Sequence, residues 1–199
     1  MKLEIVCTGI GGRGVILATT ILIETAIKTG LEAMASDEYG MSQRGGSVVS
    51  LIKIGGCKSP LIGRENADIL LSFEESEFYR NLIFLKRGGT AVVNTRKKSL
   101  SGGIGNLLKG RNIRCHLVNA DEIAGQKGSM QASNMALLGY FSFLKQGPYT
   151  FQAIEETIKE KTKGKFVEKN LEVFRAGYEN AVQGSKLEIF EYRAQNLKP

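Results

Sequence analysis

Thiols and imidazoles are scarce in this chain: Cys7, Cys57 and Cys115 stand far apart, and His116 is the single histidine. An odd number of widely spaced cysteines with no C-x-x-C pair argues against a metal centre or a disulfide framework. Cys7 and Cys115 fall in apolar strand patterns, where a free thiol behaves as a small buried hydrophobe. His116 also lies in a strand pattern and reads as a packed residue rather than a base. No Gly-x-Ser-x-Gly elbow, Walker lysine or metal-spaced cluster is present, so no catalytic assembly is visible. Long apolar runs are missing too: none approaches the roughly 18 residues of a membrane span. The Met1-Lys2-Leu3-Glu4 start leads into a strand rather than a signal peptide, which predicts a cytoplasmic protein without membrane contact.

Acidic residues are absent from residues 79–119, where Arg80, Lys86, Arg87, Arg96, Lys97, Lys98, Lys109, Arg111 and Arg114 supply nine positive charges. This stretch gives the chain its net charge of +7, and the remainder is slightly acidic. Such a segment attracts an acidic protein or a phosphorylated ligand, or is simply solvated loop. Without interleaved aromatics or a nucleic-acid module, nucleic acid is not expected. At 199 residues the chain buries a full core as one domain, placed over residues 1–184, with a helical part from about residue 121 and a tail over 185–199.

What is present is a regular alternation. Residues 3–7 read as a buried strand, residues 9–14 as a glycine loop, and residues 15–28 as a helix apolar on nearly every side, closed by Gly30. Strands follow near 32–36, 47–54, 67–73, 90–94 and 113–118, with a helix over 74–85 and a Gly88-Gly89 turn. This predicts an α/β fold in three layers: a mostly parallel twisted sheet, helices on both faces, and a helical C-terminal region. Residues 131–145 predict a buried or interface helix. Thr150 is placed as an N-cap, and Val167, Leu171, Phe174, Tyr178 and Ala181 form one helical stripe.

Two segments carry candidate chemistry. Gly9-x-Gly11-x-x-Gly14, with Gly12 and Arg13 inside it, joins a strand to a helix as in a dinucleotide fingerprint, and Asp37 stands at about the spacing of a ribose-binding acid. A loop of this kind equally receives a phosphate, a carboxylate or another chain's backbone. The second segment is residues 37–47, where Tyr39, Gly40, Met41, Gln43, Arg44, Gly45, Gly46 and Ser47 mix aromatic, amide, guanidinium and glycine. Glycine flanks let Gln43 and Arg44 aim planar donors at a carboxylate or phosphate, and a structural turn is the alternative. Asn134, at the start of a very apolar helix, is a further polar candidate, against a reading in which Ser133 caps that helix.

The run Gly9 to Gly14 with Val15-Ile16-Leu17-Ala18, then Gly40-Met41-Ser42-Gln43-Arg44-Gly45-Gly46-Ser47, resembles the small, gamma-type subunits of the 2-oxoacid:ferredoxin oxidoreductase family, in particular those of its indolepyruvate-oxidising members. Ser59-Pro60-Leu61-Ile62, residues 67–74, Gly88-Gly89-Thr90 and residues 134–139 extend the likeness. Relatives more often read Gly-Gly-Gln-Gly where Arg13 stands here. The resemblance implies oxidative decarboxylation of an aryl 2-oxoacid with coenzyme A, giving acyl-CoA, carbon dioxide and reduced ferredoxin. It further implies that thiamine diphosphate and 4Fe-4S clusters reside in a large partner subunit, that this chain binds no cofactor alone, that acidic ferredoxin is a further partner, and that the chain is inactive by itself. In that picture Gln43 and Arg44 face the partner's active site. A nucleotide-binding oxidoreductase and a non-catalytic docking module are the competing readings.

Overall fold

The computed structural model describes residues 1–40, 45–100 and 102–196, with side chains described as far as Ser185. Met41, Gln43 and Arg44 therefore lie outside the described residues. Six strands, β1 (Leu3–Ile10), β2 (Ala33–Tyr39), β3 (Ser47–Ile54), β4 (Ala67–Ser72), β5 (Leu85–Asn94) and β6 (Arg114–Val118), form one sheet in the order β2-β3-β1-β4-β5-β6. β1, β4, β5 and β6 pair in parallel, whereas β3 runs antiparallel to both β1 and β2. The short connection between β2 and β3 dictates this reversal, because parallel neighbours need a crossover of a dozen or more residues. The mostly parallel α/β sheet read from the alternation is thus the observed one, with β3 alone turned against it.

Helices cover both faces. On one side lie α1 (Val15–Lys28), α4 (Ala120–Gln126), α5 (Ser133–Phe143), α6 (Phe151–Lys161) and α7 (Phe166–Asn196), whose side chains share a core with Ile5, Cys7, Ile52, Ile69 and Val92. On the other side α2 (Glu75–Asn81) and α3 (Gly102–Gly110) pack over Val6, Leu51, Leu70, Ala91 and Val93. Alternate residues of each strand serve opposite cores, as the two-residue pleat requires. The apolar β1 and β4 runs follow from this double coverage.

α1 ends in a paired closure, with Gly30 N–H donating to Ile27 O at 2.9 Å and Leu31 N–H to Ala26 O at 3.1 Å. Thr150 caps α6 as expected, its Oγ1 accepting from Ala153 N at 3.2 Å. α5 is buried nearly all round because α7 lies across it. A methyl group on Gly139 would overlap the Phe174 carbonyl oxygen, and one on Gly177 would overlap that of Ala136. The predicted α7 stripe is the seam: Phe174 stacks on Phe151 at 5.1 Å, and Tyr178 meets Phe151 and Phe143 at 4.7 and 5.8 Å.

Three sequence expectations change. Gly88-Gly89 is not a turn between elements but sits within β5, at an irregularity where the pairing jumps from Ala67↔Leu85 to Ile69↔Thr90. The boundary drawn at 184/185 falls inside α7, which runs on to Asn196. Ser133 does not cap α5; it occupies the first helical position, and a first-turn N–H is instead taken up by Asn134, whose Oδ1 accepts from Met135 N at 3.0 Å.

Candidate functional site

In an open α/β sheet, the crevice for a ligand or partner forms outside the carboxyl ends of the parallel strands, where the chain reverses direction. Here that point lies between β1 and β4. From β1 the chain crosses by α1 toward β2, and from β4 it crosses by α2 on the opposite face toward β5. The glycine loop is at this point, and the arm entering β3 meets it: Gly11 N–H donates to Gly46 O at 2.9 Å, and Gly40 N–H to Ser47 O at 2.7 Å. The two segments singled out in the sequence are therefore neighbours. Tyr39 ends β2 with its side chain largely exposed, at 63%. Among the described residues, nothing approaches the place where a side chain would stand on Gly45 or Gly12.

Arg13 does not point into solvent. Its guanidinium pairs with Glu74, just beyond β4, and with Asp121, in the first turn of α4, both at 2.9 Å. Asn94, the last residue of β5, donates to Asp121 Oδ1 at 3.0 Å and accepts from Ala120 N at 3.0 Å. One residue of the glycine loop thus ties the ends of three neighbouring strands together. Glu74 and Asp121 also place negative charge beside the loop, which opposes the binding of a phosphate there.

Asn134 reaches the same loop. Its side-chain amide donates to Gly14 O at 3.1 Å, and it is 3% exposed. Gly14 has φ 71°, and a Cβ there would collide with the Asn134 amide, so only glycine permits this contact. Asn134 is a tie between α5 and the start of α1 rather than an open polar group. A cleft of about 430 Å³ opens beside it, lined by Gly14, Leu17, Gln131, Lys163 and Phe166 among others. A second, of about 590 Å³, lies beyond Met130, with Arg96, Asn119 and Asp121 on its walls. A charged cleft of about 510 Å³ along α7 contains no residue of this edge.

Asp37 does not join the site. β3 lies between β2 and β1, so Asp37 is two strands from the glycine loop, level with Cys7 through Ser50, and its Oδ1 accepts from Ser50 Oγ at 2.5 Å. A ribose-binding acid must stand at the end of the strand adjacent to β1. The hairpin removes it.

Further along the edge, Glu75 accepts from Thr95 Oγ1 and Lys97 Nζ, each at 2.5 Å. These bonds hold its carboxyl down at about 2, with Lys97 the largest cause. Apart from Arg80, which lies in α2, the basic segment divides between the two ends of the sheet. Arg96, Lys97 and Lys98 follow β5 at the carboxyl edge, whereas Lys86, Arg87, Lys109, Arg111 and Arg114 gather at the amino edge, where Lys86 pairs with Asp68 and Arg111 with Glu65. His116 is packed, its ring 5.7 Å from that of Tyr140 and its Nδ1 3.3 Å from the Tyr140 hydroxyl.

Residues 4–180 match the family described as pyruvate ferredoxin/flavodoxin oxidoreductase. The chain belongs to that family. It is 34% identical over 197 residues to "Indolepyruvate oxidoreductase subunit IorB" of Archaeoglobus fulgidus, covering 92% of this chain and 98% of that one. It is also 30% identical to "2-oxoglutarate synthase subunit KorC" of Methanothermobacter marburgensis, covering 94% and 100%. Among solved structures, the gamma subunit of the keto/oxoacid ferredoxin oxidoreductase of Geobacter sulfurreducens superposes with a TM-score of 0.73 at 29% identity, covering 91% of this chain and 99% of that chain.

The protein is accordingly a small subunit of a 2-oxoacid:ferredoxin oxidoreductase. An iron–sulfur cluster is held by converging cysteine thiolates. Among the described residues no three His, Cys, Asp or Glu side chains converge as a metal site. Burial pushes the Cys7 thiol up to about 12 and the Cys115 thiol up to about 11, the opposite of what a thiolate ligand needs. These residues do not fit an iron–sulfur cluster. Among the described residues no helix is long and apolar enough to cross a membrane.

Sequence reading missed Glu74, Asn94 and Asp121. Asn94 ends β5, and Glu74 and Asp121 lie within a few residues beyond β4 and β6, so examining the chain just past every strand's carboxyl end, and not only the one with glycines, is the signal that finds them.

Proposed function

We propose that this chain and its larger subunit catalyse oxidative decarboxylation of indolepyruvate and other aryl pyruvates with coenzyme A, to acyl-CoA, carbon dioxide and reduced ferredoxin. The observation that carries the reading is the meeting of the glycine loop with the Gly45-Gly46-Ser47 arm at the carboxyl edge, in a chain similar along its length to an indolepyruvate oxidoreductase subunit. Thiamine diphosphate and 4Fe-4S clusters in the larger subunit supply the carbanion chemistry and accept the electrons. This chain contributes a rigid edge that closes the reaction chamber against water and positions what is bound there.

Gln43 and Arg44 sit in the sequence between two arms of this edge, which supports a role in holding the substrate carboxylate or a coenzyme A phosphate. Arg44→Ala in the assembled enzyme is expected to lower kcat/KM about tenfold or more, as loss of a charge-assisted contact does; unchanged kinetics removes that role. Arg96, Lys97 and Lys98, at the same edge, suit an acidic ferredoxin or the coenzyme A phosphates.

The substrate is tested by purifying the complex from its source and comparing kcat/KM for indolepyruvate, phenylpyruvate, pyruvate and 2-oxoglutarate, with coenzyme A and ferredoxin. Preference for the aryl acids is the expected result. Preference for 2-oxoglutarate, the substrate in the name of the M. marburgensis relative, overturns the aryl assignment while leaving the family intact. Turnover that does not depend on this chain reduces it to a docking module.

A further inference from the structure

Glu77 is a buried carboxylate that the site described above leaves unexplained. It lies in α2, is 1% exposed, and no motif marks it. Three donors converge on it. Ser47 Oγ donates to its Oε2 at 2.5 Å, Arg80 Nη1 to its Oε1 at 2.8 Å, and Asn81 Nδ2 lies 3.4 Å from Oε2. Asn81 Nδ2 also donates to Thr8 Oγ1 at 2.8 Å, near the end of β1. The carboxylate therefore links α2 to the first residue of β3, under the place where Gly46 O accepts from Gly11.

Taking a carboxylate out of water is costly, and replacing such a group by an apolar one of similar size is often neutral for stability. Packing alone therefore gives no reason for an acid here. Its location gives one. Ser47 is held from below by Glu77, and its carbonyl holds Gly40 from the side. The Gly45-Gly46-Ser47 arm carries two glycines, so a neighbour must fix its path.

We propose that Glu77 is the positioning residue of the carboxyl edge: its carboxylate fixes Ser47, and through Ser47 it holds the β3 entry arm against the glycine loop. The effect on catalysis rests on the reading that this edge faces the larger subunit's active site. Misplacement of an edge by about 1 Å costs up to about a hundredfold in rate where geometry is critical.

The test compares Glu77→Leu, Glu77→Gln and Ser47→Ala. Amide exchange in the full-length chain, resolved by residue, is expected to accelerate about tenfold at Gly11 and Gly40 in Glu77→Leu and Ser47→Ala, the effect of losing one strong hydrogen bond. Leu70 and Val92, in the central strands, should keep their protection. Glu77→Gln, which still reaches Ser47, should restore Gly11 and Gly40 to within about threefold. In the assembled enzyme, kcat/KM should fall about tenfold in Glu77→Leu and recover in Glu77→Gln. Unchanged exchange at Gly11 and Gly40, or acceleration in step with Leu70 and Val92, overturns the proposal. Selective loosening of Gly11 and Gly40 with unaltered kinetics upholds the positioning role and instead sinks the reading of this edge as part of the reaction chamber. If Glu77→Leu does not fold, Ser47→Ala decides, because it removes the same bond and leaves Glu77 paired with Arg80.

Discussion

Glu75 shows how a single side chain at this edge registers pH. With Lys97 and Thr95 donating to it, its carboxyl titrates near 2 in the folded chain, below the ordinary value of 4.5 that it regains on unfolding. A depressed carboxyl contributes stability that is fully present above the unfolded value and is lost as pH falls through the folded one. Urea unfolding of the chain and of Glu75→Gln should therefore differ by a constant amount above pH about 4.5, and the gap should close steadily toward pH about 2. A gap that is flat with pH would mean that Lys97, half in solvent, does not hold the carboxylate in solution. At this scale the sequence was only partly legible. Gly14 and Asn134 were both singled out, but nothing along the chain says that they touch across 120 positions. Arg13 was noticed as an unusual loop residue, while its two acids come from elements 61 and 108 residues away. Glu77 was invisible, because a carboxylate on a helix of mixed composition reads as solvated until burial is known.

Elements were easier to read than contacts, since their periods are local. The strands, the Thr150 cap and the α7 stripe follow from alternation, capping chemistry and 3.6-residue spacing. The Gly88-Gly89 misreading has a physical source: glycine pairs signal a turn between elements and an irregularity inside one equally well, and only the pairing with β4 separates the two. The α5–α7 crossing offers a paired test of what glycine does in a helix. Gly177 is packed against the α5 backbone, so Gly177→Ala must push two helices apart and should destabilise by about 1–3 kcal/mol, the usual range for overpacking. Gly184, in the same helix with open space where its Cβ would stand, should respond in the opposite sense. Alanine there is expected to stabilise by about 0.5–1 kcal/mol, the difference in helix propensity. Guanidinium unfolding followed by circular dichroism reads both variants. The same sign for the two substitutions would show that close approach between α5 and α7 is not what distinguishes these glycines.

For the molecule as a whole, the fold turns one stretch of sequence into two surfaces. Nine positive charges look like a single basic patch when read in order, but parallel strands send alternate connections to opposite ends of the sheet. Arg96, Lys97 and Lys98 consequently stand at the carboxyl edge, and Lys109 and Arg114 at the amino edge. Of these two groups only the first lies at the edge that carries the glycine loop, on the side where Arg96 lines the cleft beyond Met130, while Arg80, the ninth charge, is paired with Glu77 in α2. On the proposed reading, an acidic ferredoxin would be attracted to this edge by that group, because exposed charges more than about one Debye length away, roughly 8–10 Å at physiological salt, are screened. Reversing Arg96 and Lys98 to Glu in the assembled enzyme should lower the second-order rate of ferredoxin reduction about tenfold at low ionic strength and flatten its salt dependence, with Lys97 kept so that Glu75 stays paired. Reversing Lys109 and Arg114 changes the net charge equally but acts at the far end, and should leave both the rate and its salt dependence close to those of the unaltered enzyme. Stopped-flow measurement across a range of salt concentrations separates the two cases. An equal response from both pairs would show that net charge, rather than the edge, governs the encounter, and an effect from the amino-edge pair alone would place the ferredoxin contact away from the glycine loop.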